Sequence, residues 1–228
     1  MEFPTGSGPL NRAALLQELR EAYTAALLLG EEVKAEIVMR EAIDAGLDEE
    51  VIHREVLAPS MRRVGDLWER GTLSVADEHL ATQITLRVLA LEREVVRVAG
   101  GRWRHRVMLA AVEGEEHTVG LQMVGNLLAN AGYDARYLGA DVPIDSLASI
   151  VEKHRPRVFV LSATMPANGE LLRLAMDEVR RGDPGTALLV GGQGVPEELR
   201  EEEGLVVTRE VSNVVESVDA LIRRPGLN

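Results

Sequence analysis

The chain has 228 residues, with 25 Lys and Arg against 37 Asp and Glu for a formal net charge of −12, and a hydrophobic share of 46%; that composition excludes large-scale disorder. It has no Cys, which excludes a disulfide framework, thiol catalysis and a thioether-linked cofactor, and no apolar run approaches the roughly 18 residues of a membrane span. The excess of acid argues against DNA or an anionic membrane as partner, and two Trp, three Tyr and two Phe are too few for a platform on which single strands stack.

The N-terminus, MEFPTGSGPLN, is acidic and lacks the apolar segment of a signal peptide, so the expected location is the cytoplasm. Helix then follows helix. Leu15, Leu19, Ala22, Tyr23, Ala26 and Leu27 recur at helical spacing, and Gly30 permits a turn. A second helix carries Val33, Ile37 and Ile43 and stops at Gly46, a residue suited to the position after a helix. Asp48 caps a third over 49–57, which Pro59 ends. A fourth holds Met61, Val64, Leu67 and Trp68 on one face and stops near Gly71. The capping box Ser74-Val75-Ala76-Asp77 starts a fifth, which continues through Leu80, Ile84, Val88, Leu91, Val95 and Val98. Helices joined by short turns predict a bundle over 11–99.

After Gly100-Gly101 the period changes. The basic stretch Arg102-Trp103-Arg104-His105-Arg106 reads as a solvated linker rather than a nucleic-acid patch. Residues 106–112 form a continuous apolar run, as in a strand buried on both faces. Further strands are expected at 135–138, 157–162, 187–190 and 205–208. Helices are expected at 118–130, 144–154, 170–181 and 211–222. This alternation predicts right-handed crossovers and a parallel sheet. The fold class is therefore α plus α/β: an N-terminal helical bundle, then a doubly wound, Rossmann-like domain over 106–228. Such domains bind ligands beyond the carboxyl ends of their strands.

Glu115-Glu116-His117-Thr118-Val119-Gly120 falls at that edge, where the first strand turns into its helix. A His there can take a metal through one ring nitrogen while the acid two residues earlier holds the other, fixing the tautomer. Gly120 removes a side chain from the first helical turn. Taken alone, the same residues also describe an exposed loop His beside solvated acids. Ser162-Ala163-Thr164 closes the third strand and Gly191-Gly192 the fourth, on the same edge. The two glycines leave a gap beside the sheet, and the hydroxyls can hydrogen-bond what enters it; alone, the glycines read as a tight turn. No G-x-G-x-x-G follows the first strand, which disfavours nicotinamide and flavin dinucleotides.

Together, Glu115-x-His117-x-x-Gly120, Ser162-x-Thr164 and Gly191-Gly192 resemble the D-x-H-x-x-G, S-x-L/T, G-G pattern of the cobalamin-binding domain of methionine synthase and the corrinoid-dependent mutases. The resemblance implies that His117 is the lower ligand to cobalt, with Glu115 behind it. It also implies that the displaced nucleotide tail lies beside Ser162, Thr164, Gly191 and Gly192. The segment Leu138-Gly139-Ala140-Asp141-Val142-Pro143 resembles the loop that flanks the corrin, which brings in Gly139 and Asp141.

Trp68, in the last turn of the fourth helix, and Glu78-His79, in the first turns of the fifth, form the spacing W-x9-E-H. Singly they read as core, helix-start acid and surface His. As a set they resemble cobalamin-dependent light sensors, known as light-sensing repressors of the MerR type, in which a helical cap precedes the cobalamin domain. The resemblance implies adenosylcobalamin held between cap and α/β domain, with Trp68 packed on the adenosyl group, Val75 a further contact and Glu78-His79 helping to hold it. It implies no enzyme but a photoreceptor: light breaks the Co–C bond, and the cap or a homo-oligomer interface rearranges to signal a partner. Two departures stand out. The length does not hold the winged-helix DNA-binding domain of those repressors beside two other domains, so no direct nucleic-acid binding is expected. Glu69 follows the Trp where they carry His, so a bis-histidine light product is not expected. Stand-alone relatives also hold a bilin such as biliverdin, which adds a second tetrapyrrole to the expectation, although the spacing marks no bilin site. The alternative is a corrinoid protein carrying a methyl group for a methyltransferase system; a detached mutase subunit ranks lower, because no catalytic barrel is present.

Overall fold

The computed structural model describes residues 9–98, 104–208 and 211–223. The chain falls into two compact units, Met1–Leu91 and Glu92–Asn228. Gly100 to Trp103 and the side chains of Val95 and Val98 lie outside the described residues.

The first unit is helical: α1 (Pro9–Leu28), α2 (Glu32–Asp44), α3 (Glu49–Ile52), α4 (Ala58–Glu69) and the start of α5 (Val75–Val98). Leu19, Tyr23, Ala26 and Leu27 of α1 are buried, with Val64 of α4 and Ala81, Ile84 and Val88 of α5. Two expectations are corrected. Val33, Ile37 and Ile43 do not face the core; they are 68%, 46% and 51% exposed, while Ala35, Val38, Met39 and Ala42 are buried. Ala35, Val38, Met39 and Ala42 stand at i, i+3, i+4 and i+7 and form one continuous stripe, whereas Val33, Ile37 and Ile43 stand at i, i+4 and i+10 and do not. Pro59 does not end a helix either. A π-turn over His53–Leu57 carries α3 into α4, with the N–H of Ala58 bonded to the carbonyl of His53. The wider turn makes room for a ring that would otherwise strike the carbonyl one turn back.

The start of α5 is capped as its sequence predicts. The Ser74 hydroxyl accepts the Asp77 N–H at 3.2 Å, and the Asp77 carboxylate accepts the Ser74 N–H at 2.9 Å and O–H at 2.7 Å. Asp48 stands at the N-cap of α3, but its side chain makes no capping bond.

The second unit runs β1 (Arg106–Val112), α6 (Val119–Asn130), β2 (Asp134–Val142), α7 (Ile144–His154), β3 (Val158–Ser162), α8 (Gly169–Gly182), β4 (Ala187–Gly191), β5 (Leu205–Thr208) and α9 (Val214–Arg223). All pairings are parallel, in the order β2-β1-β3-β4-β5. Alternation along the buried strands explains the two layers of helices. Val107, Leu109 and Ala111 share a core with α6 and α9, while Met108, Ala110 and Val112 share one with α7 and α8. The chain leaves β1 on one side for β2 and returns on the other for β3, so the switch point of this doubly wound sheet lies between β1 and β3.

β2 runs four residues past the expected end at Leu138. Its pairing with β1 shifts after Leu109↔Tyr137, so that Ala110 meets Gly139 and Val112 meets Val142. The irregularity coincides with positive φ at Gly139 (108°) and Asp141 (49°). The described part of the basic stretch is not a loose linker. Arg104 lies over the Tyr133 ring, 4.9 Å from its centroid, and pairs with Asp219 at 3.3 Å, and Arg106 pairs with Asp134 at 3.0 Å.

Candidate functional site

Register aligns the candidate residues along one edge. Ala111 pairs with Ser162, Ser162 with Gly191, and Gly191 with Thr208. The segment between β1 and α6, which carries Glu115 and His117, leaves the sheet at this same edge, beside the switch point.

Glu115 is fully buried, whereas the His117 ring is 54% exposed. Glu115 Oε1 accepts the His117 main-chain N–H at 2.9 Å and lies 2.6 Å from His117 Nδ1. Oε2 accepts the N–H groups of Thr164 (2.6 Å) and Met165 (3.0 Å) and the Asn168 amide Nδ2 (3.0 Å). Burial pushes this carboxyl up, but the hydrogen bond from His117 and the N–H groups of Met165, His117 and Thr164 outweigh it and hold it at about 2. An ionised carboxylate only accepts. Nδ1 must therefore donate, and Nε2 carries the lone pair of the neutral ring. The longer Glu in place of Asp still reaches the imidazole while satisfying three donors on the loop after β3.

The loop before His117 is tied down from two further sides. Asp141 Oδ1 accepts the Gly114 N–H at 2.7 Å, and the Asp141 N–H donates to the Glu115 carbonyl at 3.0 Å. Glu113 accepts the Ile144 N–H at the start of α7 at 3.0 Å. Asp141 is thus a clip for this loop. The glycines divide into two kinds. A Cβ at Gly120 or Gly139 would meet nothing within 4 Å, so space is open there. A Cβ at Gly192, where φ is 109°, would run into the Ala163 carbonyl, and one at Gly191 would lie 3.1 Å from the Thr208 carbonyl. The space a side chain would take at Gly192 is thus filled by backbone, which corrects the expectation of a gap at that position. Ser162 and Thr164 are half-buried.

In the helical unit, Trp68 is 43% and Val75 54% exposed. The turn between them is tightly wound, with the N–H groups of Thr72 and Leu73 on the Leu67 carbonyl and that of Gly71 on the Trp68 carbonyl. Glu78 and His79 are brought together: Oε2 lies 2.7 Å from His79 Nδ1, and Oε1 accepts the Thr82 hydroxyl at 2.9 Å. Glu69 is exposed. Sequence reasoning missed Asn168, whose partner Glu115 is 53 residues away. Its one local signal is the Pro166-Ala167-Asn168 turn shortly after the Ser162-x-Thr164 pair.

A family model described as a B12 binding domain matches residues 105–219, and a second of the same description matches residues 19–92. The chain is 36% identical over 140 residues to the HTH-type transcriptional repressor CarH of Myxococcus xanthus, covering 60% of this chain but 46% of that protein. It is 28% identical over 193 residues to dimethylamine corrinoid protein 1 of Methanosarcina acetivorans, covering 80% of this chain and 85% of that protein. It spans only 15% of methionine synthase from Mycobacterium tuberculosis, at 27% identity. Among solved structures, the monomethylamine corrinoid protein of Methanosarcina barkeri has the same fold, with a TM-score of 0.74 at 20% identity, covering 90% of this chain and 99% of that one.

Proposed function

The chain belongs to the B12-binding domain family, and we propose that it takes adenosylcobalamin, with His117 as the lower ligand to cobalt, and works as a light sensor rather than as an enzyme. The observation that carries the cobalamin site is the Glu115–His117 pair beside the switch point. A single imidazole with Nδ1 fixed by a carboxylate at 2.6 Å suits a metal that arrives with its other ligands in place. Open space at Gly120 and Gly139 suits a bulky ring above the strand ends. The nucleotide tail is assigned to the edge beside Ser162, Thr164, Gly191 and Gly192.

Trp68, Val75, Glu78 and His79 are assigned to the adenosyl group. A half-exposed indole, and a carboxylate held against an imidazole in the helix that follows, are groups that suit a purine nucleoside by stacking and hydrogen bonds. When bound, adenosylcobalamin supplies a Co–C bond that light breaks. The part of these residues is to hold the adenosyl group in darkness and to release it afterwards, shifting conformation or oligomeric state toward a signalling partner. The similarity to CarH, a transcriptional repressor, supports this reading.

A second reading is favoured by the dimethylamine corrinoid protein, which matches a larger share of this chain than CarH does: a carrier of a methyl group for a methyltransferase. The experiment is the absorption spectrum of the full chain loaded with adenosylcobalamin in darkness, before and after green light, alongside His117→Ala. The expected result is an imidazole-ligated spectrum that changes irreversibly on illumination, and weakened binding without imidazole ligation in the variant. Equal affinity for methylcobalamin with no lasting effect of light overturns the sensor in favour of the carrier. An unchanged spectrum and affinity in His117→Ala overturns the ligand assignment.

A further inference from the structure

We propose that Asn168 is a positioning residue for His117, acting through Glu115 to decide which imidazole nitrogen is presented to the cofactor. The inference deepens the cobalamin reading, and only the cobalt arm of its test rests on that reading.

The two oxygens of Glu115 have separate duties. Oε1 serves His117, through the ring at 2.6 Å and the main-chain N–H at 2.9 Å. Oε2 is held by three donors of one loop, the N–H groups of Thr164 and Met165 and the amide of Asn168. A glutamate has several rotatable bonds and, left to itself, samples many rotamers. Pinning Oε2 from three directions fixes the plane of the carboxylate, and with it the direction from which Oε1 accepts the Nδ1 proton. Of the three donors, Asn168 alone is a side chain.

Asn168 is unusual for its place. It is the N-cap residue of α8, where an Asn side chain ordinarily caps the helix, yet it makes no side-chain capping bond. Its amide is turned instead toward Glu115 Oε2 at 3.0 Å and the Gly114 carbonyl at 3.4 Å, and the residue is 7% exposed. A capping bond has been given up for a bond to Glu115.

The loop that carries these donors is set from behind by the glycine-rich turn after β4. The Ala163 N–H donates to the Gly191 carbonyl and the Gly194 N–H to the Ala163 carbonyl, both at 2.9 Å. A Cβ at Gly192 would strike the Ala163 carbonyl and one at Gly194 the Met165 carbonyl. The glycines thus let the turn press residues 163–165 to a depth at which their N–H groups meet Glu115. Gly192 and Gly194 therefore serve the His117 pair from two loops away.

The test uses the full chain labelled with nitrogen-15 histidine. In the protein without cofactor, at a pH where imidazole is neutral, the nitrogen shifts of His117 report its tautomer. The Nδ1–H form is expected in the parent, with a marked move toward the Nε2–H form in Asn168→Leu and in Asn168→Asp. The aspartate keeps the shape of the side chain and sets a second carboxylate against the first. Gly194→Ala, which pushes on the Met165 carbonyl that accepts the Asn168 N–H while leaving the Asn168 side chain itself unchanged, is expected to move the tautomer in the same direction. With cob(II)alamin as probe, the electron paramagnetic spectrum should show splitting from labelled His117 in the parent and a reduced share of it in the variants. Circular dichroism establishes that each variant is folded. Folded Asn168→Leu and Asn168→Asp proteins that retain the parent tautomer overturn the proposal. A parent that does not bind cob(II)alamin overturns the cobalamin reading instead, and leaves the tautomer comparison to decide this one.

Discussion

Glu115 ties the stability of the fold to pH. Its carboxyl is held at about 2 against an ordinary 4.5, so the folded protein gives up this proton more readily than the unfolded chain. The resulting stability is fully present above the ordinary carboxylate range and is lost as the pH falls toward 2, to an amount on the order of 3 kcal/mol. Glu115→Gln removes that dependence and leaves an amide NH2 facing donors whichever way the amide turns, those of Thr164, Met165 and Asn168 on one side or those of His117 on the other. We expect the variant to be less stable at neutral pH by about 2–4 kcal/mol and its denaturant midpoint to vary less between neutral and acid pH. Urea titrations over that range check this, and parallel curves for parent and variant would contradict it. Glu115 and His117 were legible because two residues of one loop fix their own geometry. Asn168 was not, because only the crossing of β3 and α8 behind the loop brings it near. Gly192 was misread because a glycine serves equally for open space and for the close approach of another chain segment.

Elements were legible wherever their ends are chemical. The Ser74–Asp77 box starts α5 at the residue its sequence names, with both reciprocal bonds in place. Ser74→Ala removes the acceptor for the Asp77 N–H and the hydroxyl that the Asp77 carboxylate accepts from, and should destabilise the helical unit by about 1 kcal/mol. A melting temperature unchanged in Ser74→Ala would show that the box contributes nothing. Elements were misread where a local signal meets a tertiary one. Proline is a helix breaker in sequence, yet Pro59 is absorbed by the π-turn before it. Val33, Ile37 and Ile43 are prominent in α2, yet the stripe that packs is Ala35, Val38, Met39 and Ala42. Gly139 and Asp141 suggest a loop, yet pairing with β1 carries β2 through both as an irregular strand. The continuous apolar runs of the inner strands met no such conflict, since each face has its own layer of helices to fill.

At the scale of the whole molecule, a sensor must turn the loss of a small group into a change that another protein can read. On the sensor reading proposed above, Trp68, Glu78 and His79 hold the adenosyl group, and contacts of roughly 1 kcal/mol apiece would be lost together without it. Since about 1.4 kcal/mol is one decade in an equilibrium, the sum shifts a two-state arrangement by more than tenfold. The helical unit also carries apolar side chains that its own core does not use, Leu29 at 70%, Val33 at 68% and Ile37 at 46% exposed, which suit burial between copies. The net charge of −12 opposes such association at long range, and salt weakens that opposition. We therefore expect the mass of the adenosylcobalamin-loaded chain to differ between darkness and green light, and the larger species to gain population as ionic strength rises. Size-exclusion chromatography with light scattering, at low and moderate salt, measures both. Equal masses in darkness and light at every salt concentration would remove oligomerisation as the output and leave a conformational change within one copy. A light effect that weakens as salt is added would mean that opposite charges, rather than apolar faces, join the copies.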